Sequence, residues 1–285
     1  MKQLHIIAIV SLWIIIILVD RRYAEAQNSN LDAVFYYNQG YDFEETGQYD
    51  EAIIYYSKAI EINPRYADAY YNRGLVYGRG KGQYDMAIAD FGKVIEINPR
   101  YADAYINRGK AYNEKGQYDK AITDYNNVIK INPKNAMAYY NRGIAYEAKG
   151  QHEKAIDDYS ISININPKYT EAYINRGKAY NEKGLLGKAI ADFDKAIEIN
   201  PRHANAYNNL GNIYDNKGQY DKAILYYTKA IEINPKFAAA YNNRGVSFFL
   251  KREYDKAWDD VYSAQKLGYQ VHPGFLKALR ESSGK

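Results

Sequence analysis

The chain has 285 residues, with 38 basic and 34 acidic side chains interspersed along it and a formal net charge of +4. No basic run or stripe is present in the sequence, which argues against a nucleic-acid-binding protein. Cysteine is absent, which excludes disulfides, thiolate metal sites, thiol nucleophiles and a lipidated amino-terminal cysteine.

The first 26 residues have the pattern of an export signal. Lys2 precedes an apolar run over residues 6–19, which is short for a membrane span and suits the core of a signal peptide. The small residues of Ala-Glu-Ala at 24–26 allow cleavage. We therefore expect export to the periplasm or the extracellular side, with cleavage after residue 26. Arg21 and Arg22 oppose the usual charge bias of a signal peptide, so the alternative is a retained membrane anchor.

From residue 33 the sequence repeats with a period of 34 or 35 residues. Each unit carries a Tyr, an Asn two residues later and a Gly two further, and its second half carries an invariant Ala. Such a period is typical of chains whose units bury apolar faces only against their neighbours. A linker at 27–32 precedes the units, which are 33–66, 67–101, 102–135, 136–169, 170–203, 204–237 and 238–271.

Each unit is predicted to contain two amphipathic helices. In the third unit Tyr105, Gly109 and Tyr112 fall on one helical face, because steps of three and four residues stay on one stripe. Ala121 and Tyr125 follow the same rule in the second helix. Glycine, which takes a left-handed cap without strain, is expected to end the first helix in six units, at Gly47, Gly82, Gly116, Gly150, Gly184 and Gly218.

The remaining helix ends are marked by Arg252 and by Asn-Pro. Arg252 stands in the last unit at the place where the other units carry the capping glycine. The residue before a proline is pushed out of the α region, so Asn-Pro is predicted to end the second helix. The pair recurs at Asn63-Pro64, Asn98-Pro99, Asn132-Pro133, Asn166-Pro167, Asn200-Pro201 and Asn234-Pro235.

The segment AYYNRGIAYEAKGQHEKAIDDY at 138–159, with its sister units, resembles the tetratricopeptide repeat (TPR) family. The resemblance implies an all-α, right-handed superhelical solenoid of seven antiparallel helix pairs, whose first helices line a concave groove. After the last unit, residues 272–285 are predicted to form a short capping helix and tail, with Phe275, Leu276 and Leu279 on its apolar face.

Two positions of the unit vary together. The family usually has leucine at the seventh place, where five units carry arginine and the others carry Gln39 and Leu210. Those same five units carry aspartate at the twenty-third place, whereas the two exceptions carry Tyr55 and Tyr226. We therefore infer an Arg–Asp contact inside each of the five helix pairs, and favour it over a row of arginines free for an acidic ligand.

By resemblance to the family, the sixth place of each unit faces the groove, and here it is always asparagine: Asn38, Asn72, Asn107, Asn141, Asn175, Asn209 and Asn243. A side-chain amide offers a donor and an acceptor, so a row of amides can pair with the backbone of an extended peptide. This arrangement is similar to the asparagine ladder of O-GlcNAc transferases. In the alternative interpretation the amides bond locally or to water.

Tyrosines and lysines complete the predicted partner-binding set. Tyr37, Tyr71 and Tyr140 occupy the fifth place, and Lys110 and Lys178 the ninth. Aromatic side chains in a groove are suitable hot spots, although tyrosine at helical spacing is also ordinary packing. The chain lacks the lysines and arginine with which chaperone-binding relatives clamp a free carboxyl terminus.

The sequence gives no sign of an enzyme. Its histidines are scattered, and GRGKG at 78–82 lacks the spacing of a phosphate-binding loop and is a one-residue insertion in a helix turn. We predict no catalytic residue, cofactor or metal. The expected function is a protein-interaction module that binds an extended peptide or a partner protein, with no nucleic acid, and a membrane only if the amino-terminal segment is retained. The alternative is a scaffold or assembly factor acting through self-association or convex surfaces at a membrane.

Overall fold

A computed structural model describes residues 31–284. The predicted export segment, its cleavage site and most of the linker lie outside these residues. Within them the chain is helical and contains no strand. No helix of this part combines the length and the apolar character that a membrane crossing requires.

The helices form two compact bodies, divided between Pro133 and Lys134. In each body consecutive helices pack against one another. The first body contains α1 (residues 31–45), α2 (Tyr49–Ile62), α3 (Ala67–Leu75) with a π-helical turn (Val76–Gly80), α4 (Tyr84–Ile97), α5 (Ala102–Glu114) and α6 (Tyr118–Ile131). The second contains α7 (Ala136–Ala148), α8 (His152–Ile165), α9 (Thr170–Glu182), α10 (Leu186–Ile199), α11 (Ala204–Asn216), α12 (Tyr220–Ile233), α13 (Ala238–Leu250), α14 (Tyr254–Lys266) and α15 (Pro273–Ser283).

The helix ends follow the predicted caps. All six capping glycines have a left-handed backbone, with φ between 65° and 75°, and Arg252 adopts the same conformation at φ 63°. The asparagines before proline leave the helical region and take extended angles, as Asn166 does at φ −127° and ψ 90°. Both predictions of helix ends are therefore confirmed.

The two helices of a unit approach closely at the glycine of the eighth place. In six units this glycine lies against the aromatic ring at the twenty-fourth place, and an added Cβ would come within 3.0 Å of that ring. The invariant alanines of the second helices are fully buried, including Ala155 and Ala189. Close packing therefore joins a glycine to an aromatic ring, with the alanines filling the rest of the helix contact.

The inferred Arg–Asp contact is present in all five units. Each guanidinium donates two hydrogen bonds of 2.7–2.9 Å to one carboxylate, in the pairs Arg73–Asp90, Arg108–Asp124, Arg142–Asp158, Arg176–Asp192 and Arg244–Asp260. The carboxylates are buried, and in the sixth unit Leu210 is fully buried instead. The arginines are thus committed to internal pairing.

The predicted capping helix, α15, covers the end of the second body. Leu279 is fully buried, and the ring of Phe275 meets that of Phe249 edge-on at 5.6 Å. Trp258 Nε1 donates a hydrogen bond of 3.0 Å to Ser283 Oγ. The helix therefore closes the last unit, as the apolar face of the sequence predicts.

Candidate functional site

Three amides of the asparagine row are hydrogen-bonded to the tyrosines of the fifth place. In each case Nδ2 donates to a tyrosine hydroxyl of the preceding unit. The bonds run from Asn72 to Tyr37 (3.0 Å), from Asn107 to Tyr71 (2.9 Å) and from Asn175 to Tyr140 (3.2 Å). The structure thus joins two of the predicted residue sets to each other.

The fifth-place tyrosines are packed as well as bonded. Each is half-buried, and its ring lies 4.8–5.2 Å from that of the tyrosine at the end of its own unit, which is Tyr66, Tyr101 or Tyr169. Burial is the main cause that raises the pKa of Tyr37, Tyr71 and Tyr140. These side chains therefore hold neighbouring helices together.

Asn243 is satisfied in another way. Its Nδ2 donates to Asn208 Oδ1 at 3.3 Å and to Asn212 Oδ1 at 3.1 Å. Asn208 occupies the fifth place that tyrosine fills in other units. The same position of the preceding unit therefore supplies the acceptor, with an amide oxygen replacing the phenol.

Asn209 has no such acceptor. The fifth place of the preceding unit is Ile174, which carries no hydroxyl group. The buried Nδ2 of Asn209 makes no hydrogen bond within residues 31–284. An amide donor that is buried without a partner costs about 1–3 kcal/mol. Asn209 therefore carries a hydrogen-bond donor that the described part of the protein leaves unused.

Asn141 also has an unused buried donor, whereas Asn38 lies on the surface. Asn141 is 6% exposed, and its Nδ2 also lacks a partner in the described part of the chain. In the sequence the fifth place of the unit before it is again isoleucine, Ile106. Asn38, in the first unit, is exposed to solvent. The seven asparagines thus divide into those bonded internally, those with an unused buried donor, and one on the surface.

A cavity of about 90 Å³ lies at Asn209. It is bounded by the ring of Phe193 and by polar side chains, which are those of Lys178, Asn181, Glu182, Asn209 and Asn212. Lys178, one of the predicted site residues, is exposed here. The cavity is large enough for a few heavy atoms, such as a peptide carbonyl group, and it places them beside an unused donor.

A larger cavity of about 400 Å³ lies in the first body. It adjoins the π-helical turn, and its lining includes Asn107 and Lys110 of the predicted site together with Arg79, Leu75 and Phe91. Burial lowers the pKa of Lys110, and the nearby charge of Arg79 lowers it further. The sequence reasoning missed this cavity. The signal was the 35-residue length of the second unit, which marks an insertion without showing what it builds.

Family models for these repeats match most of the described chain. One TPR repeat model matches residues 40–80, 79–114, 109–150 and 177–218. Two tetratricopeptide repeat models match residues 136–169 and 204–237, and residues 226–259. Among curated proteins, an uncharacterised protein of Methanocaldococcus jannaschii is 42% identical over 43 residues, which are 15% of this chain. The match covers half the length of that relative.

Solved structures show the same repeat fold. MamA is 30% identical, with a TM-score of 0.55 over 61% of this chain and 94% of its own. YrrB, described as a TPR protein with an unusual peptide-binding site, is 28% identical, with a TM-score of 0.51 over 65% of this chain and 95% of its own. A TPR protein of Parabacteroides merdae is 22% identical, with a TM-score of 0.69 over 90% of this chain and all of its own, and shows the fold alone.

The repeat matches and the helix pairs lead to the same assignment. TPR folds are typically non-catalytic modules of protein–protein interaction. The chain belongs to the tetratricopeptide repeat family.

Proposed function

We propose that this protein binds an extended peptide segment of a partner protein, and that Asn209 and Asn141 donate hydrogen bonds to the backbone carbonyls of that segment. The proposal depends on one observation: the buried Nδ2 atoms of these two residues have no acceptor within residues 31–284. A peptide carbonyl supplies the missing acceptor, and the bond offsets the cost of the buried donor.

The contrast among the repeats supports this assignment. Asn72, Asn107 and Asn175 already donate to tyrosine hydroxyls of the same protein. A ligand would have to break those bonds before using the amides, so the exchange yields little free energy. Asn141 and Asn209 do not have to break a hydrogen bond of Nδ2 when a ligand binds. Amides that pair only with the peptide backbone would give binding with modest sequence preference.

The site at Asn209 can be tested by removing the donor or by satisfying it. Asn209→Ala removes the amide, whereas Ile174→Tyr places a hydroxyl where the fourth unit carries Tyr140, the acceptor of Asn175. Heptapeptides selected from a random library on the wild-type protein serve as probes, with affinity measured by fluorescence anisotropy. We expect both variants to weaken binding by about tenfold, since a lost hydrogen bond costs about 1.4 kcal/mol.

Asn175→Ala is the matched control. Its amide is committed to Tyr140, so the substitution is expected to lower the unfolding temperature while leaving peptide affinity within about twofold. If Asn175→Ala weakens binding as much as Asn209→Ala, the division between bonded and unused amides is wrong. If neither Asn209→Ala nor Ile174→Tyr changes the affinity, the proposed site is rejected.

A second candidate function is a scaffold that assembles with itself. It is favoured by apolar side chains on α1, where Leu31 is 68% exposed and Phe35 is 58% exposed. Sedimentation of the wild-type protein and of a Leu31→Gln, Phe35→Gln double variant distinguishes the two. A concentration-dependent oligomer that is lost in the variant supports the scaffold, and a monomer at every concentration excludes self-association through α1.

Export is proposed on the sequence of residues 1–26 alone. Cleavage after Ala26 produces a mature protein that begins at Gln27. The intact mass of the protein purified from its native source tests this proposal. A mass that includes residues 1–26 supports the retained anchor instead.

A further inference from the structure

The second unit differs from its neighbours in both backbone and charge. After Leu75 its first helix continues as a π-helical turn, Val76–Gly80, which accommodates the additional residue of this unit. The turn places Arg79 at the thirteenth position of the unit. The first, third and fifth units carry a glutamate at this position, namely Glu45, Glu114 and Glu182.

The cavity at this turn has an apolar floor. Gly74, Leu75, Gly78 and Phe91 all line it. Phe91 occupies the place at which four other units carry a tyrosine, so no phenol hydroxyl enters the cavity from this side. The volume of about 400 Å³ is in the range of pockets that hold a small ligand or a side chain.

Two cationic side chains, those of Arg79 and Lys110, line the same cavity without a hydrogen-bonded or ion-paired partner in the described chain. Neither Arg79 nor Lys110 makes a hydrogen bond or an ion pair with any residue of the described chain. Two other lysines of this body, by contrast, form ion pairs, Lys81 with Asp50 and Lys115 with Asp85. Lys110 is half-buried, so its charge has lost part of its hydration, and Asp103 stabilises that charge without a direct ion pair. An anion between the two cations would give both of them the direct ion pair that they lack within the protein.

We propose that Arg79 and Lys110 bind a carboxylate group of the ligand in this cavity, while its aliphatic stem packs on Leu75 and Phe91. The proposal rests on the proposed function, since it names the chemistry that the peptide presents to the first body. Glu114 also lines the cavity, and from outside its lining Asp103 acts on Lys110 and Glu44 on Arg79 through their charges. With three carboxylates near the two cations, a singly charged carboxylate fits the site better than a phosphate dianion.

Three sources of a carboxylate can be compared directly. The probes are labelled, amidated heptapeptides with one central glutamate or with glutamine in its place, a glutamine heptapeptide with a free carboxyl terminus, and, as competitor, N-acetylglutamate α-amide, which carries a single carboxylate. We expect wild-type protein to prefer one of the carboxylate peptides over the neutral peptide by about tenfold, as charge-assisted bonding in a partly desolvated site allows. Competition by N-acetylglutamate α-amide shows whether a single carboxylate is sufficient for binding without the peptide backbone.

Two variants test whether the preference for a carboxylate peptide arises at this cavity. Arg79→Glu installs the residue that three other units carry, and Lys110→Gln removes the second cation. Each is expected to reduce the preference to about twofold or less. Lys130→Gln removes an exposed charge from the same body outside the cavity and is expected to leave the preference unchanged. Unfolding temperatures measured in parallel show whether each variant is folded.

The outcomes separate this proposal from the one it rests on. Equal affinity for neutral and carboxylate peptides, a preference that survives both cavity variants, or the absence of binding by every carboxylate probe at about 1 mM overturns the carboxylate site. If the neutral peptide still binds in an Asn209-dependent way, the proposed function survives that result. If the carboxylate preference depends on Arg79 while Asn209→Ala leaves the peptide affinity unchanged, the carboxylate site is supported and the backbone-binding site at Asn209 is rejected.

Discussion

Arg176 donates two hydrogen bonds to Asp192, from Nε at 2.8 Å and from Nη2 at 2.7 Å. The aspartate side chain is 8% exposed and that of the arginine 18%. Arg176 also donates to Ser160 Oγ of the preceding unit at 3.0 Å. One side chain thus joins two helices of its own unit and fixes them to the unit before. Removing either charge leaves the other buried without its partner.

The first prediction concerns this pair. Arg176→Leu and Asp192→Tyr are each expected to lower the free energy of unfolding by up to ~3–5 kcal/mol, because each strands a buried charge. The double variant reproduces Leu210 and Tyr226 of the next unit, so its loss should be much smaller than the sum. Urea unfolding of the four proteins measures this coupling. Single losses that simply add would show that the pair contributes no interaction energy.

The Arg–Asp contact could be predicted because the signal lies within the chain. Arginine and aspartate change together, and their spacing of 16 residues in a 34-residue unit matches the two helices of one pair. The bond from Asn175 to Tyr140 was not predicted, although both residues were in the candidate set. It joins one unit to the next, and its signal is spread over two repeats. Tyrosine at one fifth place satisfies the following asparagine, and isoleucine there does not.

The cavity at Arg79 could not be predicted for a different reason. An additional residue can be accommodated by a loop, a bulge or a π-helical turn, and these differ by small free energies that the sequence does not display. The position of Lys110 opposite the turn depends on which of them forms. Repeat period, caps and core faces are set by local chemistry that recurs in every unit, whereas a single insertion has no second copy for comparison.

The second prediction compares two glycines of the second body. A Cβ at Gly177 would lie 2.9 Å from the ring of Phe193, which is 1% exposed and has little room to move. Gly177→Ala is therefore expected to cost about 1–3 kcal/mol. Gly187, in the first turn of α10, has no atom within 4 Å of an added Cβ. Gly187→Ala should stabilise the protein by up to ~1 kcal/mol, because alanine loses less backbone entropy. Thermal unfolding that shifts in the same direction for both variants contradicts this account.

The third prediction concerns the exceptional cap. Within residues 31–284, one residue other than glycine has a left-handed backbone, and this is Arg252 at φ 63°. A side chain in this conformation costs about 1 kcal/mol relative to glycine. Arg252→Gly is expected to raise the free energy of unfolding by that amount, and Gly218→Ala, at φ 69°, to lower it similarly. Lys251 and Glu253 beside it form their own ion pair, so the substitution removes little else. An unchanged unfolding midpoint for Arg252→Gly would show that the cap is unstrained.

The fourth prediction concerns alkaline pH. Burial, followed by the charge of Asp68, raises the pKa of Tyr101 to about 12. In the unfolded chain a tyrosine titrates near pH 10. Below that value both states hold the proton and the contribution to stability is fully present. As the pH rises from about 10 to about 12 the unfolded state ionises first, so stability falls and is lost through the folded pKa.

Tyr101→Phe tests this linkage, since it keeps a ring to pack on Tyr71, which lies 5.2 Å away. Phenylalanine does not ionise, so the variant should lose less stability than the wild type between about pH 10 and 12, while both behave alike at pH 8. Urea unfolding across this range measures the difference. The remaining alkaline loss in the variant is expected to come from the other tyrosines whose hydroxyl pKa is raised by burial, which include Tyr56, Tyr125, Tyr159 and Tyr227 as well as Tyr37, Tyr71 and Tyr140. Identical pH profiles for the two proteins would show that Tyr101 titrates equally in the folded and unfolded states.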